Sequence, residues 1–388
     1  VEWARHTPPP RAEDSALGRA VLPPLAAGGP YELAIRAADS MQIVRDVLMG
    51  DVWLCSGQSN MELPVWRALD AASEIAAATQ PMIRLFTVPK AAAVSPRQEF
   101  AAPVAWHPAS PDTVRDFSAA CFYFARELQK TVAVPMGLIQ AAWGGSRIEA
   151  WTSASGLRRQ GGMDPALDVL ALYATDPVAA NARWGRHWQQ WWSTHTGAGA
   201  DESPWQPAAD RTGWQQAPSM LGAWEHWGVP ALSHYTGMVW YRSQVTLTVA
   251  QAGQGARLEL GAVDETDMTW VNGVAVGSEN APGTARSYAL PAGLLDAGAN
   301  TVVINVLDTY GDGGLAGPAS AHAVVLDDGT RLVLDAPWQY QPAPTAQTPP
   351  LAPWHAATGV STLHNGMIAP LGQPGLRGIL WYQGESNT

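Results

Sequence analysis

Three short segments of the sequence, residues 57–61, 143–146 and 381–387, carry groups suited to chemistry on a carbonyl carbon. The first reads Gly-Gln-Ser-Asn-Met and follows the apolar run 52–55, which puts Ser59 on a strand-to-helix turn. A serine there exposes its hydroxyl, which can attack a carbonyl while its own N–H helps to hold the oxyanion. Taken alone, a Ser-Asn pair more often caps the following helix.

The second and third segments each supply a group that could stabilise the same oxyanion. Gly144 and Gly145 follow an apolar run, and glycines there let a backbone N–H approach a substrate closely. A Gly-Gly pair alone indicates only a turn. In the third segment, Gln383 could donate a side-chain N–H and Glu385 could orient its neighbours.

Apolar runs predict the elements that must position these residues. Four runs are typical of buried strands: 52–55, 83–88, 134–142 and 378–382. Apolar residues at helical spacing predict a helix over residues 117–130. Strands and helices in this order indicate an open α/β sheet, which binds ligands at the carboxyl ends of its strands. The three segments should therefore converge on one crevice.

The pattern between the second and third segments changes to short strands separated by Gly, Asn and Asp. Eight runs are strand-like: 238–249, 256–260, 268–271, 274–276, 287–290, 301–307, 323–326 and 331–334. Asn272-Gly273 between two of these runs is a two-residue hairpin signal. Eight short strands with such turns predict a β-sandwich.

The composition excludes several classes of protein. Of the 388 residues, 47% are hydrophobic and 15% charged, which excludes disorder as the main state. No run approaches the roughly 20 apolar residues of a membrane span. The net charge of −11 argues against a nucleic-acid or membrane partner. Nineteen tryptophans suit either a tryptophan-filled core or flat surfaces that grip sugars, and the composition leaves both open.

The two cysteines, Cys55 and Cys121, are too few for a disulfide scaffold or for a zinc site with several thiolate ligands. Cys55 lies in a strand-like apolar run and Cys121 on a helical face. We expect each to be a separate buried small residue.

Together the three segments resemble the SGNH (GDSL-like) hydrolases and, within them, the sialate O-acetylesterase-like carbohydrate esterases. Residues 57–61 look like the nucleophile block of that family, residues 143–146 like its second block and residues 381–387 like its third. Residues 22–31 resemble the family's amino-terminal β-segment, and residues 365–371 resemble its return into the hydrolase fold.

The resemblance implies an α/β fold. Its core would be a three-layer α/β/α SGNH-hydrolase sheet, with an N-terminal β segment and an inserted β-sandwich of jelly-roll type. The expected domains are the N-terminal β segment (1–50), the first part of the hydrolase domain (51–175), the β-sandwich (176–349) and the second part of the hydrolase domain (350–388). Sugar binding by the insert is left open.

The resemblance also implies the roles of the site residues. Ser59 would be the nucleophile, and the oxyanion donors would be the N–H groups of Ser59 and Gly145 and the side chain of Gln383. No metal or organic cofactor is implied. Asp308 and Asp312 flank a glycine-rich loop, but their irregular spacing argues against a calcium site.

A serine nucleophile needs a general base, and the sequence lacks the family's motif for that base. The family places its histidine three residues after an aspartate, and none of the nine histidines has this neighbour: His6, His107, His187, His195, His226, His234, His322, His355 and His364. The triad's His and Asp are therefore not found in this chain. We expect a companion polypeptide segment carrying Asp-x-x-His to complete the hydrolase domain.

The expected function is that of a carbohydrate O-acetylesterase, which hydrolyses acetyl esters on sugar hydroxyls through a serine acyl-enzyme. Its substrate would be an acetylated oligosaccharide or glycan, and the resemblance implies a periplasmic or secreted location. The alternative is a non-catalytic carbohydrate-binding protein built on an esterase-like scaffold.

Overall fold

The structure, a computed structural model, describes residues 23–37, 40–199 and 202–387. The predicted N-terminal β segment falls in part on residues 1–22, which lie outside the described residues. Over the described residues the strands are β1 (Gly28–Ala37), β2 (Ser40–Met49), β3 (Asp51–Gly57), β4 (Gln80–Thr87), β5 (His107–Ala109), β6 (Met136–Ala142), β7 (Gln215–Gln216), β8 (Gly237–Leu247), β9 (Ala256–Val263), β10 (Thr266–Val271), β11 (Val274–Asn280), β12 (Thr284–Ala289), β13 (Gly298–Asp308), β14 (Ala323–Leu326), β15 (Arg331–Val333), β16 (Gln339–Pro342) and β17 (Gly378–Tyr382). The α-helices are α1 (Ser59–Glu62), α2 (Ala71–Ala76), α3 (Pro111–Val114), α4 (Ala119–Gln129), α5 (Ile148–Trp151), α6 (Ala154–Gln160), α7 (Asp164–Tyr173), α8 (Pro177–Thr196) and α9 (Val249–Ala252).

The chain forms two compact units. Unit 1 comprises the described residues within Val1–Ala92, Pro96–Trp151 and Leu363–Thr388, and unit 2 those within Ala93–Ser95 and Thr152–Thr362. Helices α6 and α7 therefore fall in unit 2, together with the strands of the predicted insert. As limits of domains, the boundaries predicted at 175 and 349 stay predictions.

Unit 1 contains a five-stranded sheet in the order β17-β3-β6-β4-β5. The first four strands are parallel and β5 is antiparallel. Gly57 at the end of β3 lies opposite Tyr382 of β17 and Ala142 of β6. The three strands that lead into the candidate segments are therefore neighbours. Strands β1 and β2 form a separate antiparallel pair.

Both faces of this sheet are covered, because successive side chains of a strand point to opposite faces. Leu54 of β3 packs in one core with Trp151 of α5 and Met367 of a π-helical segment. Cys55 packs in the other core with Phe122 of α4. A sheet buried on both faces explains why the predicted strands appear as continuous apolar runs.

Helix α4 confirms the helix predicted over residues 117–130, and Ser118 is its N-cap. Ser118 Oγ accepts a hydrogen bond from the Cys121 N–H at 3.2 Å and donates one to the carbonyl oxygen of Met61 at 2.6 Å. Met61 belongs to α1, so the start of α4 is tied to the short helix that begins at Ser59.

Two antiparallel sheets share one core in unit 2. Their strand orders are β11-β10-β13-β8-β16-β7 and β12-β9-β14-β15. Ile304 of the first sheet packs in the same core as Leu258 and Val324 of the second. Asn272 and Gly273, with φ of +47° and +82°, form the predicted turn between β10 and β11. The prediction of an α/β sheet accompanied by additional β-structure is confirmed.

Tryptophans fill a second core of unit 2, on the other face of the six-stranded sheet. Helix α8 contributes Trp184, Trp188 and Trp192 to this core, which also contains Trp240 of β8 and Trp270 of β10. The ring centroids of Trp192 and Trp240 lie 5.1 Å apart, and those of Trp188 and Trp270 lie 5.5 Å apart. For these five rings the tryptophan-rich composition therefore reflects core packing.

The two cysteines form a disulfide, so the expectation of two separate buried residues is wrong. Cys55 lies on β3 and Cys121 on the helix that packs against it, with their Cα atoms 5.9 Å apart. Bridged cysteines usually have Cα atoms about 4.4–6.8 Å apart. The sequence could not show the pair because 66 residues separate the two cysteines and only the packing of α4 on β3 brings them together.

Removing the disulfide should destabilise unit 1. The double substitution Cys55→Ala, Cys121→Ala should lower the free energy of unfolding by about 4 kcal/mol, because the bridge closes a long loop in the unfolded chain. Urea denaturation of the wild type, the double variant and the wild type under reducing conditions measures this change. Equal free energies of unfolding in all three samples would show that the Cys55–Cys121 disulfide is not formed.

Candidate active site

The turn after β3 presents Ser59 at the surface and buries its neighbour. Gly57 has φ of +141°, and a Cβ there would lie 2.0 Å from the carbonyl oxygen of Tyr382, so only glycine fits. Gln58 is extended and buried, and the next residue begins α1. The side chain of Ser59 is thereby left exposed. A strand-to-helix turn with an exposed serine is the local structure that the sequence predicted.

Hydrogen bonds attach the loop after β17 to this turn. The Gln58 N–H donates to the carbonyl oxygen of Tyr382 at 2.9 Å. Gln58 Oε1 accepts hydrogen bonds from the N–H groups of Gly384 and Ser386, at 3.5 and 3.4 Å. Asn60 Nδ2 then donates to Glu385 Oε1 at 2.8 Å. The first and third candidate segments therefore lie against each other.

The loop after β6 approaches the same turn from the other side. The Trp143 N–H donates to the carbonyl oxygen of Gly57 at 3.0 Å. A Cβ added to Gly144 would lie 3.4 Å from Ser59 Cβ, so the backbone of Gly144 packs directly against Ser59. Gly145 has φ of +72°, and a Cβ there would meet no atom within 4 Å. The structure thus brings Ser59 and the predicted glycine pair together.

The three predicted oxyanion donors differ in their hydrogen bonding. Over the described residues, the N–H groups of Ser59 and Gly145 are not used in hydrogen bonds. Gln383 Nε2 donates to the carbonyl oxygen of Ser146 at 3.2 Å and to Asn387 Oδ1 at 2.5 Å. The amide of Gln383 is therefore bonded within the loops in this structure, and its role as a donor stays a prediction.

Within unit 1, neither of the described histidines, His107 and His364, is hydrogen-bonded to Ser59. His107 and His364 belong to unit 1, and burial lowers the pKa of His364. In unit 2, burial lowers the pKa of His322 to about 4 and that of His355 to about 3. His6 lies outside the described residues. That the triad's His and Asp are not found in this chain therefore stays a prediction.

The part of the chain that contains β3, β4 and β6 matches a known protein family. Residues 49–161 match the family described as carbohydrate esterase, sialic acid-specific acetylesterase. This match includes Ser59 and Gly145, whereas Gln383 lies outside it. The predicted family resemblance is confirmed.

The chain is also similar to curated proteins named sialate O-acetylesterase. The sialate O-acetylesterase of Homo sapiens is 36% identical over 152 residues, which cover 36% of this chain and 29% of that protein. That of Mus musculus is 34% identical over 160 residues, covering 38% of this chain and 30% of that protein. The chain thus matches less than a third of the length of these relatives.

Two solved structures show looser likenesses. A carbohydrate acetylesterase from Xanthomonas citri is 20% identical, with 82% of this chain and 87% of that chain covered, at a TM-score of 0.34. A β-glucuronidase from Faecalibacterium prausnitzii is 30% identical over 20% of this chain and 13% of that chain, at a TM-score of 0.19.

The sequence did not predict the contacts that two residues of the acetylesterase-like segment make at the candidate site. Gln58 is part of the Gly-Gln-Ser-Asn-Met segment, but a glutamine beside the candidate nucleophile has no spacing signal that predicts its hydrogen bonds to the loop after β17. Glu62 carried a usable signal, since residues three apart on a helix share a face and Glu62 follows Ser59 by three. Its Oε2 accepts a hydrogen bond from the Gly144 N–H at 2.6 Å.

Two glycines of the site should respond differently to alanine. Gly57→Ala should destabilise unit 1 by roughly 3 kcal/mol or more, because it combines a positive φ with a collision against the backbone of β17. Gly145→Ala is the matched control, since its site is open and only the φ penalty of about 1–2 kcal/mol applies. Thermal and urea unfolding measure both losses, and equal losses would contradict the close approach of Gly57 to Tyr382.

Proposed function

We propose that this chain carries the nucleophile and oxyanion-binding loops of an SGNH-type carbohydrate O-acetylesterase. The observation that carries the proposal is the exposed Ser59, held between the loops after β6 and β17, in a segment that matches the sialic acid-specific acetylesterase family. The proposed substrate is an acetylated oligosaccharide or glycan, and no metal or organic cofactor is invoked.

The proposed reaction has two steps. A general base takes the proton of Ser59 Oγ, which attacks the acetyl carbonyl and forms a tetrahedral oxyanion. The N–H groups of Ser59 and Gly145 and the Gln383 amide hold this oxyanion until the bond between the acetyl carbon and the sugar oxygen breaks and the base gives the proton to the sugar oxygen. Water then attacks the acetyl-enzyme and releases acetate. Gln383 takes part only after its amide has exchanged its hydrogen bonds to Ser146 and Asn387 for one to the oxyanion.

The reaction also needs a base for Ser59, which we propose comes from a companion polypeptide segment carrying Asp-x-x-His. Strand β17 lies at the edge of the described five-stranded sheet. Its Ile379, Trp381 and Tyr382 are 60%, 43% and 50% exposed. Apolar side chains along a sheet edge are usually covered in native proteins. This exposure supports a further element beside β17, next to the strand that leads to Ser59.

A non-catalytic carbohydrate-binding protein is the second candidate function. The observation that favours it is that neither His107 nor His364, the described histidines of unit 1, is hydrogen-bonded to Ser59. In that case the crevice would bind glycan without releasing acetate from it.

We propose a periplasmic or secreted location. The Cys55–Cys121 disulfide supports it, because disulfides persist mainly in oxidising compartments. Over the described residues, no helix combines the length and apolarity needed to cross a membrane.

Removing the Ser59 hydroxyl should abolish acetate release. Loss of a serine nucleophile typically costs about 10⁶-fold in turnover, so Ser59→Ala should fall to the assay background. Hydrolysis of p-nitrophenyl acetate and of acetylated oligosaccharides by the full-length polypeptide provides the measurement. Ser73→Ala is the control, because Ser73 lies on α2 and its hydroxyl donates only to the Asp70 carbonyl. A Ser59→Ala variant retaining more than a few per cent of activity would exclude Ser59 as nucleophile.

Removing the Gln383 amide should slow the reaction without abolishing it. Loss of one oxyanion donor typically costs about 10²–10³-fold in turnover, and Gln383→Ala should show a loss of that size. Gln129→Ala is the control, since Gln129 lies on α4 and its side-chain Nε2 donates to the carbonyl oxygen of Val134. Near-normal turnover in Gln383→Ala would show that Gln383 is not an oxyanion donor and that another group of the loops has this role.

A further inference from the structure

We infer that Glu62 is a positioning residue of the esterase site, which fixes the Trp143–Gly144 peptide beside Ser59, one peptide before the Gly145 N–H. The inference rests on the proposed function and adds a residue that the sequence resemblance did not assign. Glu62 is the last residue of α1 and lies on the same helix face as Ser59.

The contact that carries the inference is a hydrogen bond between helix α1 and the loop after β6. Glu62 Oε2 accepts from the Gly144 N–H at 2.6 Å. A carboxylate acceptor makes such a bond shorter and stronger than a neutral acceptor would. The side chain of Glu62 is 29% exposed, so water competes only in part for its oxygens.

The second oxygen of the same carboxylate is also engaged. Lys90 Nζ pairs with Glu62 Oε1, and this ammonium group lies 5.5 Å from the ring centroid of Trp143. Lys90 follows the end of β4 and Trp143 follows the end of β6. One carboxylate therefore ties the turn after β3 to the loops that follow two neighbouring strands.

The need for this restraint follows from the glycine pair itself. Two consecutive glycines have wide conformational freedom, and Gly145 has open space around it. Gly144 packs against Ser59, and the Gly144 N–H that Glu62 holds lies one peptide before the Gly145 N–H. A shift of Gly144 therefore moves the Gly145 N–H relative to the serine. The Gly145 N–H is one of the proposed oxyanion donors, and such donors act only when they are held in place before the reaction.

Glu62 acts on the reaction through this loop and not as a base for Ser59. Its Oε2 accepts from Gly144 and its Oε1 is paired with Lys90, so both oxygens already have partners. Loss of the carboxylate should therefore lower kcat by misplacing a donor, while KM changes little because both oxygens of Glu62 are engaged by Gly144 and Lys90.

The test compares kcat and KM of four variants of the full-length polypeptide on an acetylated oligosaccharide. Glu62→Ala should lower kcat about 10²-fold, the cost of a small misplacement of a catalytic group. Glu62→Gln keeps an oxygen that can accept from Gly144 and should recover at least about tenfold of that loss. Lys90→Met should show a smaller loss than Glu62→Ala, because the hydrogen bond to Gly144 remains.

Glu74→Ala is the matched control for loss of an ion pair. Glu74 lies on α2, pairs with Arg126 and has a side chain 28% exposed, close to the value for Glu62. This variant should lose similar stability and retain wild-type kcat. Hydrogen exchange at Gly144 gives a readout that does not depend on turnover. The amide should exchange faster in Glu62→Ala than in the wild type or in Glu74→Ala.

The outcomes separate the two proposals. A wild type that releases no acetate overturns the proposed function and leaves Glu62 without a catalytic role. An active wild type with unchanged kcat in Glu62→Ala overturns the role of Glu62 alone. Equal kcat losses in Glu62→Ala and Glu62→Gln also overturn it, because the acceptor would then not matter. If Glu62→Ala fails to fold, Glu62→Gln and Lys90→Met decide. The inference then requires that kcat of both variants exceeds one-tenth of the wild-type value, and a lower kcat in either variant overturns it.

Discussion

The parallel pairing of β3 with β6 on one side and β17 on the other is the interaction on which the candidate site depends. Parallel strands end at the same edge of a sheet, so the residues that follow them meet there. Gly57 lies opposite both Ala142 and Tyr382 at this edge. The pairing continues one step past the strands, because the Gln58 N–H and the Trp143 N–H both bond across to neighbouring backbones. Three segments far apart in sequence thereby form one surface around Ser59.

Much of this arrangement was predictable from local patterns. The buried strands appear as apolar runs, and the segments after them carry glycine, serine and amide residues in an order that resembles one esterase family. What local patterns could not show is pairing at a distance. The Cys55–Cys121 bridge needs α4 to pack on β3, and the hydrogen bond from Gly144 to Glu62 needs β3 and β6 to be neighbours. The amide of Gln383 illustrates the same limit, since its present partners are set by how two loops meet.

Unit 2, which is rich in β-strands, is stabilised by a different kind of packing. Its two sheets bury one core between them, and α8 covers the outer face of the larger sheet with tryptophans. A surplus of tryptophan can indicate sugar binding, but rings buried against one another are not available to stack on a sugar. Trp188, Trp240 and Trp270 are each no more than 2% exposed. The composition therefore explains the stability of this unit better than it explains recognition of a glycan.

The central claim is that Ser59 is a reactive nucleophile. Labelling of the full-length polypeptide with a fluorophosphonate, followed by peptide mass mapping, tests it most directly because the reagent needs an activated serine and no particular sugar. The account predicts a single covalent adduct on Ser59, formed more slowly when an acetylated oligosaccharide competes for the site. An adduct on a different serine, or a native protein that stays unlabelled, would contradict the account.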